Sequence, residues 1–278
     1  MANPDPRAAP AVGSGTGGTT NPSILLNSVV ALLLGAAITV LFHELAHWLA
    51  GAALGSQASL FAFGVTYDPE LTGSRSAIAA AAGPVASLLL GSVMQVLQPF
   101  RFRGDFAHLL WIWVACTSLM EAATYLVITP LAGDTATIVA AMGWPAWVAW
   151  PAAAVGVAAM LGVAHQWAIH AVRLCGRDLT RLRCFSWYPW LIAIPVQIAR
   201  VLGLLPCARV QLSPAERGVV VMAGRAQTVF GPLSMVFASR LDELEEPLLV
   251  KGVPWLGVAG LLALTVWNFA ISGGVRIG

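Results

Sequence analysis

Charge is what this 278-residue sequence has least of. Asp, Glu, Lys and Arg make up only 10% of it, less than half the roughly 25% usual for a soluble globular domain, while 58% of the residues are hydrophobic. That ratio excludes a single soluble domain, because the surplus apolar surface has to face lipid. Basic residues barely outnumber acidic ones, 15 against 13, and Lys251 is the one lysine. Without a basic field to attract a polyanion, nucleic-acid binding is excluded. Cysteine is scarce too: Cys116, Cys175, Cys184 and Cys207 include no CxxC pair, which argues against a disulfide framework or a cysteine metal cluster and reads them as packing thiols. With 27 Gly and 17 Pro, the chain is neither collagen-like nor of low complexity. No internal repeat is found.

What is present is a series of long apolar runs. Residues 1–23, rich in Pro, Gly, Ala, Ser and Thr, cannot bury enough surface to offset chain entropy and are expected to form a disordered tail. Residues 24–42 then run nineteen positions without a charge, enough to cross about 30 Å of hydrocarbon. That run is too long and too far from a charged amino-terminal region for a cleaved signal peptide, so it is expected to remain. Further spans are expected at about 76–98, 106–129, 145–172 and 253–272, and the Pro-interrupted stretch 186–205 either spans or re-enters. The expected architecture is all-α: a multi-pass transmembrane helical bundle of five or six spans. A short membrane-associated strand or hairpin is expected at SLFAFGVTY, residues 59–67, from its aromatic and β-branched content. Residues 206–252 hold five basic and five acidic side chains and are read as a polar loop, an interfacial helix or a small aqueous lobe.

The chemistry is concentrated in LFHELAHWLAG, at the end of the first run. His43, Glu44 and His47 form H-E-x-x-H. On a helix the two histidines lie four residues apart on one face and can reach one metal ion, with Glu44 beside the open coordination position. There Glu44 can act as general base on a zinc-bound water whose pKa the metal has lowered to roughly 7, and return the proton to a leaving amine. Chance placement of five His and seven Glu yields such a pattern roughly once in 500 sequences of this composition. Ionisable groups within a membrane span are also costly and mark function.

Catalytic zinc usually has three protein ligands, so one is missing. Asp134 is the favoured candidate: Pro130 and Gly133 around it break the helix and expose its carboxylate at membrane depth, although the same position suits a helix cap. Glu121 is a second membrane-embedded carboxylate, suited either to a role near the metal or to pairing with a polar partner in the bundle. His108, His165 and His170 remain further candidates.

These residues resemble the site-2 protease family of intramembrane zinc metalloproteases. The resemblance rests on HELAH in the first span, AAAGPVAS at 80–87 in the next, and a Gly-Asp after a Pro in the third region, in that order and over about 24–143. It implies a catalytic transmembrane core at 24–143; the apolar runs alone give the additional transmembrane or re-entrant segments at 144–205 and the C-terminal membrane helix within 253–278. It also implies one Zn2+ per chain held by His43, His47 and Asp134, Glu44 as general base, and a Gly83-Pro84 turn shaping the second core helix. The implied substrate is a transmembrane or membrane-proximal segment of another protein, unwound and cut within the bilayer, because an intact helix hides its carbonyls in internal hydrogen bonds. The 59–67 strand would offer an edge to the extended substrate. The pattern departs from the family at Thr135, where Gly often follows the Asp; at Leu126, where an Asn is common; and at Ser87, where many relatives carry Asn. Polar help for an oxyanion would then come from Thr124, Tyr125 or Thr129.

Orientation follows from arginine. Arg7, Arg101, Arg103, Arg173, Arg177, Arg181 and Arg183 fall on one side and Arg75 on the other. The positive-inside rule therefore puts the tail in the cytoplasm and the motif toward the outer half of the membrane, whereas the family usually has its site nearer the cytoplasm. The resemblance and the spans together imply an integral protein of the cell membrane; the sequence does not fix the oligomeric state. Two other classes compete. Di-iron membrane oxidases use similarly spaced histidines but need about eight, and would have to recruit Glu44, Glu121 and Asp134. A non-enzymatic transporter, chaperone or inactive relative would only hold metal or line a path.

Overall fold

The computed structural model of the chain describes residues 20–62, 64–204, 231–241 and 248–277. The first helix, α1, runs from Asn21 to Ala53. It begins where the Thr20 hydroxyl accepts from the Ser23 amide at 3.4 Å, with Pro22 in the first turn, where a missing N–H costs nothing. It continues eleven residues beyond the apolar run, so HELAH lies inside the helix rather than at its end. An antiparallel hairpin follows, β1 (Gln57–Phe61) and β2 (Gly64–Asp68). Then come α2 (Gly73–Val96), α3 (Phe106–Ile128) and the short α4 (Asp134–Ala141). The second half contains α5 (Ala149–Cys175, led in by a 3-10 turn at Ala146–Val148), α6 (Leu179–Leu182), a π-helical turn (Arg183–Trp187), α7 (Tyr188–Leu204), α8 (Gly231–Ala238), α9 (Trp255–Ala270) and β3 (Val275–Ile277).

Among the described residues, five helices are long and apolar enough to cross a membrane: Asn21–Ala53, Gly73–Val96, Phe106–Ile128, Ala146–Cys175 and Trp255–Gly273. The 186–205 stretch is not among these five: its helix α7 has 17 residues up to Leu204, where the described segment ends, and it follows the π turn without a break. The π turn before α7 is seated by aromatic packing: Trp113 of α3 lies 3.9 Å from Trp167 of α5 and 5.6 Å from Trp190 of α7, ring centre to ring centre. Trp167 also donates to Ser186 Oγ at 2.8 Å.

Helices α1 and α3 form the middle of the bundle, with α2, α5, α7 and α9 around them. An all-round apolar helix is stable only where neighbours or lipid cover every face. Small residues let the helices close up: a Cβ at Gly91 of α2 would meet the α3 backbone at Leu119, and one at Gly156 of α5 would meet Val127. Buried hydroxyls join α1 to α3, with Thr39 Oγ1 2.9 Å from Thr117 Oγ1 and 2.8 Å from Ser118 Oγ.

The expected hairpin is present with an addition that the sequence did not announce. The β3 strand pairs antiparallel with β1, giving the sheet order β2-β1-β3. Trp48 of α1 donates to Ala58 O at 2.9 Å and Tyr67 donates to His47 O at 3.3 Å, so the sheet is fastened to the turns of α1 that carry the motif. Burial, then the nearby Glu44 and Asp134, push the Tyr67 phenol up to about 12, which keeps its hydrogen for that bond. Because β1 is flanked on both sides, the edge strands of the sheet among the described residues are β2 and β3, so within the expected 59–67 segment the edge belongs to β2.

Within 206–252, residues 206–230, which include Cys207, and 242–247 lie outside the described residues. The described part is not a solvated loop: Ala238, Leu248 and Val250 belong to the main apolar core, and Met235, Phe237 and Leu241 pack against it. The expected tail, 1–23, is outside the description up to residue 19, and α1 starts two residues later. Cys116, Cys175 and Cys184 are buried free thiols, as their spacing suggested.

Candidate metal centre

His43 and His47 are one turn apart on α1, and both rings turn toward α2 and α4. The Nε2 atoms are 3.0 Å apart, and Asp134 Oδ2 lies 3.1 Å from each. Four-coordinate zinc with bonds of about 2.0–2.1 Å holds its ligand atoms roughly 3.3 Å from one another, so the spacing is that of three corners of a tetrahedron. His43 and His47 are 1% and 6% exposed, and the Asp134 side chain is 24% exposed. Among the described residues this is the one group of three or more His, Cys, Asp or Glu side chains placed to hold a metal ion.

Hydrogen bonding on the far side of each ring shows why the three atoms converge. His47 Nδ1 lies 2.7 Å from Ala79 O. A carbonyl only accepts, so Nδ1 carries the hydrogen and Nε2 of the neutral ring presents a lone pair. His43 Nδ1 lies 3.1 Å from Ser87 Oγ, which in turn donates to Glu121 Oε2 at 3.2 Å. With its hydrogen spent on Glu121, Ser87 accepts from His43 Nδ1, and His43 Nε2 is also a lone pair. Two neutral imidazole nitrogens and a carboxylate oxygen this close are held together either by a proton on an imidazole, as in a His–Asp ion pair, or by a cation among them. The donor set therefore fits a divalent metal, and metal-ligating histidines are characteristically anchored in this way.

Helix α2 supplies both the anchors and the space. Ala79, Gly83 and Ser87 are four residues apart and so share one helical face. A Cβ at Gly83 would lie 2.5 Å from His43 Nε2 and closer still to His47 Nε2, so only glycine leaves room at this point. The expected Gly83-Pro84 turn does not occur: α2 is continuous from Gly73 to Val96 with Pro84 inside it. The contribution of Gly83 is to let both imidazoles approach the α2 backbone closely, rather than a bend.

Asp134 is delivered by the α3–α4 connection. Gly133 caps α4 at φ 92°, a left-handed conformation that glycine adopts without strain. Thr135 Oγ1 bonds to Tyr125 O and to Thr129 Oγ1, the latter at 2.7 Å, hooking the first turn of α4 onto the last turn of α3. Thr135, a departure from the family pattern, thus has its own structural task.

The remaining candidates separate clearly. Glu44 follows His43 on α1, within electrostatic reach of both imidazoles, and no hydrogen bond joins it to another described residue. Glu121 stands behind Ser87, outside the ligand set. Tyr125 stacks on His43 with ring centres 4.8 Å apart. Thr124 and Thr129 do not offer free donors: Thr124 gives its hydrogen to Met120 O, and Thr129 is engaged with Tyr125 O and Leu126 O. His165 packs edge-on against Phe237, and His170 lies 3.2 Å from the Gln95 amide. His108 begins α3, near its Asp105 cap, and belongs to no metal-binding group among the described residues. Sequence reasoning passed over Ala79 and Ser87 as anchors. The signal that could have found them is the four-residue spacing of small residues 79, 83, 87 and 91. No protein-family model, curated protein or solved structure matches the chain.

Proposed function

We propose that the protein is a membrane-embedded zinc metalloendopeptidase of the site-2 type, cutting peptide bonds in or near transmembrane segments of other membrane proteins. The observation that carries this reading is the convergence of His43 Nε2, His47 Nε2 and Asp134 Oδ2 within 3.1 Å, beside a glutamate that no other described side chain engages. His43, His47 and Asp134 are the proposed zinc ligands, leaving the fourth position open as catalytic sites do. The chemistry supplied by zinc when bound there is polarisation of the scissile carbonyl and acidification of a water.

Glu44 takes the proton from that water and later delivers it to the leaving amine. Tyr125, stacked on His43, and the Gly83 face of α2 shape the walls. The substrate segment has to arrive unwound, since helical carbonyls are occupied. An extended segment could pair with the free edge of β2, on the sheet fastened to α1 by Trp48 and Tyr67. The five apolar helices among the described residues support a location in a membrane, and the proposed location is the cell membrane.

The test uses zinc-loaded protein in proteoliposomes with a pool of single-span membrane peptides, mapping new termini by mass spectrometry. Glu44→Gln is expected to retain zinc and lose cleavage by about 10²–10⁴-fold. Equal cleavage by wild type and E44Q would overturn the assignment of Glu44. No zinc-dependent termini from wild type would favour a metal-holding, non-proteolytic role.

A further inference from the structure

The centre contains a buried carboxyl group that its ligand set does not use. Glu121 lies on a membrane-spanning helix and is only 6% exposed, and no Lys or Arg pairs with it, Asp134 or Glu44 among the described residues. An ionised carboxylate at such a position is costly unless a cation lies within its reach, and a metal held by His43 would supply one. Among the described residues, the side chain of Glu121 has one hydrogen-bond partner, the hydroxyl of Ser87, itself completely buried. That hydroxyl has a single hydrogen. Since Glu121, if ionised, can only accept, the hydrogen points to Oε2 and the Ser87 lone pair faces His43 Nδ1 at 3.1 Å.

We infer that Ser87 and Glu121 are positioning residues for the metal: a one-way chain from His43 Nδ1–H to Ser87 Oγ and from Ser87 O–H to Glu121 that locks His43 in its ligating tautomer and places a negative charge behind it. The inference rests on the reading of His43 as a metal ligand. The two histidines are then anchored differently. His47 leans on a backbone carbonyl of Ala79, which no side-chain substitution removes, whereas His43 depends entirely on two side chains. Serine suits position 87 because its side chain is short enough to fit the closely packed α2–α3 face around Gly91 and still carries one donor and one acceptor. Tyr125, stacked at 4.8 Å on the same ring, limits its tilt and leaves rotation about Cβ–Cγ to be set by Ser87.

The experiment measures zinc affinity by chelator competition on the full-length protein in detergent, independently of any substrate. Ser87→Ala removes both links while changing one atom in a packed site, so it should fold. Its affinity is expected to fall by about 10–100-fold, the range for loss of such outer partners. Glu121→Gln keeps an oxygen that accepts from Ser87 but removes the charge, and is expected to lie between wild type and S87A. Glu121→Leu, lacking an acceptor, should be at least as weak as S87A. S87A binding zinc as tightly as wild type would overturn the inference. E121Q as weak as E121L would support a charge contribution larger than the alignment, and E121Q equal to wild type would restrict the role to alignment. Wild type without zinc would overturn the reading of the centre itself, and the relay with it, whereas zinc bound by wild type and S87A alike would sink the relay alone.

Discussion

At His47 the informative atom is the one facing away from the centre. Its Nδ1 gives a hydrogen to Ala79 O at 2.7 Å, and this fixes a lone pair on Nε2 toward Asp134 and His43. The same reasoning makes Gly83 the residue least able to change. In Gly83→Ala the added methyl would occupy the space next to both Nε2 atoms, so zinc binding should weaken by at least about tenfold while the helix, gaining a better former, stays intact. Chelator competition together with circular dichroism checks both halves; tight zinc binding by G83A would show that the close approach of the imidazoles to α2 is not needed. At Gly133, alanine would have to adopt φ 92° and would stand 3.1 Å from Ile128 Cδ1. A left-handed residue costs about 1–2 kcal/mol, enough to shift Asp134 and lower metal occupancy without removing a ligand. The histidine pair was legible in the sequence because i, i+4 spacing is a local property of one helix. Asp134 was legible because Pro130 and Gly133 mark a break. Ser87 and Ala79 were not, because their contacts with α1 span 44 and 32 residues of sequence, and the tautomer they impose exists only after two helices have packed.

Among the elements, α1 carries both the chemistry and the fastenings that hold it. Thr39, one turn before His43 and fully buried, meets Thr117 and Ser118 of α3. Thr39→Val keeps the shape and removes the shared hydroxyl. Interhelical hydrogen bonds of this kind average about 0.6 kcal/mol and reach about 1.7 in membrane proteins, so equilibrium unfolding in mixed micelles should show a loss of about 1 kcal/mol; an unchanged midpoint would mean that the hydroxyl cluster is slack. The β3 strand is the other non-local fastening. Its pairing of Val275 with Leu60 and Ile277 with Ala58 joins residues more than two hundred positions apart, which no local alternation in a three-residue strand could signal. Arg276→Pro, in the middle of β3, should disrupt the β1–β3 ladder and raise amide exchange at 58–60; unchanged protection there would show that β1 is held by β2 and Trp48 alone. The expected Gly83-Pro84 turn failed for a related reason. Proline suggests a break when read alone, yet α2 is gripped by α1, α3 and α4, and that packing keeps it helical through the missing hydrogen bond.

For the molecule as a whole, the helices sort into inner and outer. The windows of α1 and α3 are 67% buried, those of Ala146–Cys175 and Trp255–Gly273 only 17% and 22%, so the outer pair offers apolar surface for lipid to cover. Trp147 and Trp150 at the start of α5 and Trp255 at the start of α9 are exposed, as residues of an interfacial aromatic belt are. Two contacts fix the ends: Asn27 donates to Gly252 O at 3.0 Å and Leu249 N to Gly104 O at 2.7 Å. They bring the starts of α1, α3 and α9 to one end of the bundle, with the arginines of the 97–105 connection, while the sheet lies at the other. Side-selective labelling of Phe102→Cys and Thr66→Cys, two exposed positions, should therefore modify them from opposite faces of the membrane; labelling from one face would contradict the arrangement of spans.

The most direct test of the account is metal content by mass spectrometry on detergent-purified wild type and Asp134→Ala prepared side by side. The account predicts about one zinc per wild-type chain and its loss in D134A. Zinc retained in full by D134A, or a wild type that binds none under conditions that preserve bound metal, would contradict it.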